Sequence, residues 1–230
     1  YTPANGESFC EGCTGLESVT FPSNVKSISH NAFYKCENLT SATLPDGMEE
    51  IGSYAFYGCK KLKHIDLPSS ITTIKWSAFS ECENLTSLTL PESLTTLGDF
   101  AFNGCTNLTL TSDRLPQGLT TIETAAFQAC KNLTSIVIPE GVTSIKSSAF
   151  SSCTYLKSVT FPASLTSIEE SAFSRCINLK SAILPEGLTD IGDYALNQCS
   201  SITTLTLPSS LTSIGNGAFY KCNSLRTIYS

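Results

Sequence analysis

The chain has 230 residues, of which 41% are hydrophobic and 15% are charged, and its formal net charge is −6. This composition excludes a disordered chain. The acidic balance argues against a nucleic-acid partner, because a phosphate backbone requires clustered Lys and Arg. No apolar run approaches the roughly 20 residues that a transmembrane helix needs. The sequence has no initiator Met and no signal peptide, so we interpret Tyr1 as the start of a trimmed or processed chain.

A 23-residue repeat runs through the chain, and the cysteines show it most plainly. Every step between them is 23 residues, except that the step from Cys105 to Cys130 is 25. The cysteines at this register are Cys13, Cys36, Cys59, Cys82, Cys105, Cys130, Cys153, Cys176, Cys199 and Cys222. A fixed period of this length predicts a solenoid over residues 1–230 as a single domain of about ten coils. A solenoid offers a long surface without a closed pocket, which favours a binding scaffold over an enzyme.

One repeat, taken in chain order from Pro45, contains a turn and two short strands. Ala55–Cys59 is too short for a stable α-helix, so we expect a turn or a single 3₁₀ or α turn there. Leu62–Leu67 has the form L-x-x-I-x-L, and its last four residues alternate polar and apolar, which is typical of a half-buried strand. Pro68 ends that strand because it cannot donate to a ladder. A second short extended segment is predicted at Thr72–Ile74.

The apolar positions of the repeat predict columns of buried side chains that neighbouring coils cover. The Ala of each Ala-Phe pair, from Ala32 to Ala218, never varies, which indicates a position too tight for a larger side chain. Leu196 replaces Phe in one coil, a change that packing can absorb. The sequence thus predicts a continuous apolar core along the stack.

We expect the cysteines from Cys36 to Cys222 to be reduced and buried. Side chains in neighbouring coils lie about 4.8 Å apart and run parallel, which suits a disulfide poorly. Cys10 is the extra cysteine, and the sequence leaves open whether Cys10 and Cys13 pair. No His or second cysteine pair stands nearby to complete a zinc site, and we expect no metal and no cofactor.

The repeat Leu-Pro-x-x-Leu-Thr-x-Ile-x-x-x-Ala-Phe-x-x-Cys-x-x-Leu resembles the BspA-like class of leucine-rich repeats. The resemblance covers essentially the whole chain, from Cys13 to Tyr229. It implies a right-handed leucine-rich-repeat solenoid with parallel strands on the concave side and turns on the convex side. It also implies a bacterial secreted or cell-surface protein used in adhesion or host contact. One departure is that no segment of helix length is available for the convex side.

Ligands of such solenoids usually lie on the concave face, where most outward strand positions here are Ser or Thr. These residues favour or solvate β structure, which explains them without a ligand. The residues that differ are His64, Asp66, Val137, Ile183 and Tyr229, and we treat them as candidate ligand-binding residues. His64 and Asp66 lie on one strand face, where a hydrogen bond is conceivable and a solvated surface pair is the plainer interpretation.

The two-residue insertion between Cys105 and Pro116 predicts a bulge. If the repeat register is counted forward from Cys105, Thr111 would point into the apolar core. If it is counted back from Pro116, Asp113 would do so, and neither polar side chain suits the core. Bulges often re-aim side chains near sites, so Ser112 and Arg114 join the candidate residues. The alternative is an insertion tolerated in a loop.

Three functions remain open from the sequence. The first is a non-catalytic scaffold that binds a host-matrix or cell-surface protein through the concave face, as a monomer. The second is a structural spacer or stalk, and the third is a carbohydrate-binding surface module. Only Tyr229 is aromatic on the presumed concave strands, which argues against sugar stacking there. No catalytic motif is present. Because the last coil would leave Leu225 and Ile228 half exposed, we expect the chain to be a fragment of a larger protein.

Overall fold

The computed structural model describes residues 9–230, and its regular elements are short parallel strands of two or three residues. Those of the first column, which follow the cysteines, are β1 (Ser18–Thr20), β3 (Ser41–Thr43), β5 (His64–Ile65), β7 (Ser87–Leu88), β9 (Thr109–Leu110), β11 (Ser135–Val137), β13 (Ser158–Thr160), β15 (Ser181–Ala182), β17 (Thr204–Thr206) and β19 (Thr227–Tyr229). Those of the second column are β2 (Ser27–Ile28), β4 (Glu50–Ile51), β6 (Thr73–Ile74), β8 (Thr96–Leu97), β10 (Thr121–Ile122), β12 (Ser144–Ile145), β14 (Ser167–Ile168), β16 (Asp190–Ile191) and β18 (Ser213–Ile214).

Strands pair in parallel with the equivalent strands of neighbouring coils, which confirms the predicted parallel solenoid. The first column divides into four sheets, β1-β3-β5, β7-β9, β11-β13-β15 and β17-β19. Paired residues are 23 apart in almost every pair, as in Ser158 with Ser181 and Ile51 with Ile74. The second column divides into β2-β4-β6-β8 and β10-β12-β14-β16-β18. Its break lies in the coil that carries the two-residue insertion. Two strands per coil give about nine complete coils in the described part of the chain.

The core is a set of stacked columns, and its largest members are phenylalanines. The rings from Phe33 to Phe173 are fully buried, and consecutive centroids lie 5.3–5.6 Å apart with interplanar angles of 3–15°. Leu196 continues the column at 0% exposure, as predicted. The Ala column is likewise buried, from Ala32 to Ala218. These apolar columns hold the coils together, because no coil could bury its own face alone.

The Ala-Phe segment forms consecutive hydrogen-bonded turns, as predicted, and none of its residues among 9–230 lies in a 3₁₀- or α-helix. Two residues per coil are left-handed, as Ser77 (φ 51°) and Glu81 (φ 62°) are in one coil. Because of this geometry, every second backbone N–H group of the segment donates a hydrogen bond to a carbonyl oxygen of the next coil. Phe79 N–H donates to Ala101 O at 2.9 Å, and Glu81 N–H donates to Asn103 O at 2.7 Å. The turns do not extend into a helix, because these donors bond between coils. We call this side of the coil the turn face.

In residues 9–230 there is no helix long and apolar enough to cross a membrane.

Candidate functional site

The outward-facing residues of the first strand column form a nearly uniform surface, which we call the strand face. Its members are mostly exposed Ser and Thr, as predicted, and they alternate with buried aliphatic residues in strands such as β13 and β17. Hydroxyl groups on this face also bond between coils, since the side-chain oxygens of Thr89 and Thr111 lie 2.8 Å apart. The candidate residues are therefore departures from a polar background that the fold itself explains.

His64 and Asp66 lie together on the strand face. His64 Nε2 is 3.0 Å from Asp66 Oδ1, and their side chains are 61% and 91% exposed. A pair this exposed contributes little to stability. Residues 9–230 contain no group of three or more His, Cys, Asp or Glu side chains that could hold a metal ion. The pair is therefore an accessible polar feature of the surface.

The insertion forms the predicted bulge and brings Arg114 beside Val137. Partners at β7 and β9 are 22 residues apart instead of 23, and pairing resumes with a parallel bridge between Arg114 and Val137. Residues 111–114 are all exposed, so neither Thr111 nor Asp113 enters the core. Ser112 Oγ accepts a hydrogen bond from Arg114 N–H at 3.2 Å. Ser112, Arg114 and Val137 thus form one group that spans two coils.

Ile183 and Tyr229 stand apart from that group. Ile183 follows the last residue of β15 and is 81% exposed. Tyr229 lies in β19, where it pairs with Thr206 and is 56% exposed. Five of the seven candidate residues therefore lie in two local clusters, and the other two, Ile183 and Tyr229, are isolated from them. Their role in binding remains a prediction.

The cysteine column has a hydrogen-bonding explanation that the sequence does not show. Each thiol donates to the backbone carbonyl of the Phe, or of its replacement, in the preceding coil, as Cys105 does to Phe79 O at 3.0 Å and Cys153 does to Phe127 O at 3.2 Å. Cys36 to Cys199 are free and buried, as predicted, whereas Cys222 is only partly buried. Burial raises the pKa of these thiols, as at Cys105, so they are protonated and poor nucleophiles.

Cys13 departs from the rest of the column because it forms a disulfide with Cys10. Both are partly buried and pack against the core where the described chain begins. The question that the sequence left open is therefore answered in favour of a pair.

The turn face carries an aromatic cluster that the sequence reasoning missed. Tyr34 and Tyr57 stack at a centroid distance of 5.0 Å, and Tyr54 contacts Trp76 edge-on at 4.7 Å. His30 joins the cluster, with its ring centroid 5.6 Å from that of Tyr54. A signal was available, since aligning the repeats on Cys places these residues two, five and six positions before it.

Comparison with known proteins identifies the family. The model of the BspA type leucine rich repeat region matches residues 5–133 and 120–230. A leucine-rich repeat protein from Bacteroides ovatus is 28% identical with a TM-score of 0.73, over 92% of this chain and 63% of that one. A leucine rich cell surface protein from Faecalibacterium prausnitzii is 29% identical with a TM-score of 0.54, over 93% and 79%.

The pneumococcal vaccine antigen PcpA shares the fold at 23% identity and a TM-score of 0.56, over 92% of this chain and 67% of that one. A search of curated proteins finds no match. The chain spans less than two thirds of the Bacteroides ovatus protein. Because the family model covers nearly the whole sequence, the chain belongs to the BspA-type leucine-rich-repeat family.

Proposed function

We propose that this chain is a non-catalytic scaffold of a secreted or cell-surface protein, and that its strand face binds another protein during adhesion or host contact. The observation that carries the proposal is the exposed aliphatic side chain of Ile183, 81% exposed on a face of Ser and Thr. An isolated Ile gives nothing to the core from that position, whereas a partner would bury it. Apolar residues on otherwise polar surfaces are typical of interaction sites.

The spacing of the candidate residues suits one large partner. His64 and Tyr229 lie seven repeats apart, from the coil of Cys59 to that of Cys222, so at about 4.8 Å per coil they are separated by roughly 34 Å. A stable protein interface covers about 800 Å² on each partner. A patch of that size and length would include Arg114 and Val137, and Arg is among the residues enriched at interface centres.

The chemistry of the described residues supports a scaffold over an enzyme. The buried thiols are protonated, and residues 9–230 contain no group of three or more His, Cys, Asp or Glu side chains placed to hold a metal ion. The Cys10–Cys13 disulfide fits an oxidising compartment, and the Faecalibacterium prausnitzii relative is described as a cell surface protein. Secretion or attachment to the surface is part of the proposal for this chain.

A spacer function is the second candidate, because the strand face is so uniform. The hydroxyl groups of Thr89 and Thr111, which lie 2.8 Å apart in neighbouring coils, indicate that such residues serve the stack itself. A spacer requires only such a repeating surface. The two functions differ in their response to changes at Ile183, which a spacer tolerates.

The test compares two substitutions on the strand face with one on the turn face, in binding to a panel of immobilised extracellular-matrix proteins. We expect Ile183→Lys or Val137→Lys to reduce binding at least tenfold, because each buries an unpaired charge at the interface. Arg175→Glu on the turn face is the matched control and should leave binding unchanged. Equal loss from both faces, or no loss from either, contradicts a strand-face site. Unchanged binding after all three substitutions favours the spacer.

A further inference from the structure

The aromatic cluster of the turn face surrounds a depression of about 530 Å³. Its walls are the rings of Tyr34, Tyr54, Tyr57 and Trp76, and its floor includes the buried residues Ser77 and Ser80. Trp76 is 46% exposed although it packs against Tyr54. We call this feature the aromatic depression.

The fold does not require these rings. At the register of Trp76 the later coils carry Asp99, Thr124, Ser147, Glu170, Asp193 and Asn216. At the register of Tyr57 they carry Ser80, Asn103, Gln128, Ser151, Ser174 and Asn197, and an aromatic residue returns at Tyr220 in the last coil. Those coils keep the same turn and the same buried Phe column. The concentration of aromatic residues in three neighbouring coils therefore needs an explanation other than packing between coils.

Polar groups without charge occupy the bottom of the depression. The Ser80 hydroxyl accepts a hydrogen bond from Asn103 Nδ2 at 3.2 Å, and Ser77 and Asn31 also line the depression. Asn31 Oδ1 is buried, with no hydrogen-bond partner among the described residues. A buried amide oxygen of this kind calls for a partner such as a ligand or ordered water. The floor therefore offers hydroxyl and amide groups that can both donate and accept.

The charge around the depression favours a neutral ligand. Lys35 is exposed and lies over the outer Tyr34 ring, with Nζ 5.3 Å from the centroid. Glu11 is exposed at the edge of the depression. Burial, with the negative charge of Glu81 as a second cause, raises the pKa of the Tyr57 phenol, so that ring stays uncharged. His30 also lines the depression and is exposed. The ionisable groups therefore lie at the surface of the depression, whereas its buried lining residues Ser77 and Ser80 carry no charge.

We propose that the aromatic depression binds a neutral oligosaccharide with flat, all-equatorial pyranose rings. The C–H faces of such rings are apolar and stack on aromatic side chains, while their hydroxyl groups exchange hydrogen bonds with Ser77, Ser80 and Asn31. The site lies on the turn face and makes use of no residue of the strand face. It is a binding activity beyond the proposed protein-binding function.

The surface fits a sugar better than a protein. Protein interfaces have an apolar centre and a polar rim, whereas here the rings form the walls and the polar groups form the floor. A peptide also could not pair with the backbone along this edge. Tyr54 N–H already donates to Trp76 O and Ser77 N–H to Asp99 O, both at 2.9 Å, as part of the ladder between coils.

Trp76 makes the first test direct, because it is the one tryptophan of the chain. Cellohexaose and chitohexaose are titrated separately while Trp emission and its quenching by acrylamide are recorded. We expect a saturable change in emission and protection from acrylamide with at least one of these sugars. Mannohexaose, whose rings each carry an axial hydroxyl, should bind more weakly. No change with any sugar up to about 10 mM, or equal affinity for mannohexaose, overturns the proposal.

Variants drawn from the sister coils provide the second test without risk to the fold. Tyr57→Ser and Trp76→Thr introduce residues that other coils carry at the same registers, and calorimetry measures sugar affinity. We expect each to weaken binding at least about tenfold, the equivalent of one lost stacking contact. Tyr155→Ser changes a 55% exposed ring elsewhere and should leave affinity unchanged. Unchanged affinity in Tyr57→Ser overturns the proposal.

Two further outcomes separate this site from the strand face. Ile183→Lys should keep full sugar affinity, and loss of sugar binding in that variant overturns the location proposed here. If no sugar binds, and Tyr57→Ser instead abolishes binding to a matrix protein, the depression is a protein interface and the proposal is wrong. Failure of the strand-face test leaves the sugar measurements unaffected.

Discussion

The buried thiols should make this protein unusually sensitive to alkaline pH. The pKa of each deeply buried thiol is raised, chiefly by burial, so the folded chain keeps protons that the unfolded chain releases. The stabilisation is fully present below about pH 8.5, where an exposed thiol begins to ionise, and it is lost as the pH rises above that value. The seven thiols concerned are Cys59, Cys82, Cys105, Cys130, Cys153, Cys176 and Cys199.

The expected effect is large because the contributions add. One pH unit above the thiol pKa of the unfolded chain, each group costs about 1.4 kcal/mol of folding free energy. Seven groups therefore cost about 10 kcal/mol near pH 9.5, against a total stability of about 5–15 kcal/mol for an ordinary domain. The ordinary pKa values of Tyr and Lys are higher, about 10 and about 10.4, so ionisation of the thiols dominates the change between pH 7.5 and 9.5.

Urea unfolding at pH 7.5, 8.5 and 9.5, in the presence of a phosphine reductant, measures this loss. We expect the midpoint to fall steeply above pH 8.5. Thiol titration after denaturation without reductant should give nine thiols per chain, the number that is free in the fold. The triple variant Cys105→Ala, Cys130→Ala and Cys153→Ala keeps four of the seven thiols. Between pH 7.5 and 9.5 it should therefore lose only about four sevenths of the folding free energy that the unmodified chain loses. A midpoint that stays constant to pH 9.5 refutes the reasoning.

Two other expectations concern the packed columns and the left-handed turns. Phe127→Ala should lower the free energy of unfolding, measured in urea, by about 3–5 kcal/mol. Phe127→Leu should lower it by less than about 1.5 kcal/mol, because Leu196 already occupies a position of this column. Equal losses in the two variants contradict the stacking argument. Ala129→Gly, at φ 58°, should raise stability by about 0.5–1 kcal/mol. Gly104→Ala, at φ 75° and with a Cβ 2.8 Å from Glu81 Oε1, should lower it by at least about 1 kcal/mol. Changes of the same sign in these two variants contradict the assigned turn.

The stacked architecture could be predicted from the sequence because a fixed period places equivalent residues in columns. Burial of the Phe and Cys columns follows from that fact, and the bulge follows from the extra residues before Pro116. The turn geometry could not be predicted in the same way. Gly58 and Gly104 hint at a left-handed position, but residues such as Glu81 and Arg175 occupy it in other coils. The bonds to the next coil impose this conformation, and local propensity does not encode it.

The candidate sites show a similar limit. Ile183 could be selected because it departs from Ser and Thr within one column. The aromatic depression combines Tyr34 and Tyr57, which share one register, with Trp76 from another register, over three coils. These residues converge only when the turn is folded with its two left-handed residues four positions apart, as at Ser77 and Glu81. A column-by-column comparison therefore finds single exposed residues more readily than it finds a cluster.

The repeat also explains why the two faces can be tested independently. Each coil contacts only its neighbours, so a substitution at the surface of one coil perturbs a short part of the stack. Between the faces lies the buried Phe column, whose packing depends on neither Trp76 nor Ile183, since both are exposed. Sister coils supply residues already tolerated at the registers of Trp76 and Tyr57. Loss of a ligand after such a substitution can therefore be assigned to the altered face.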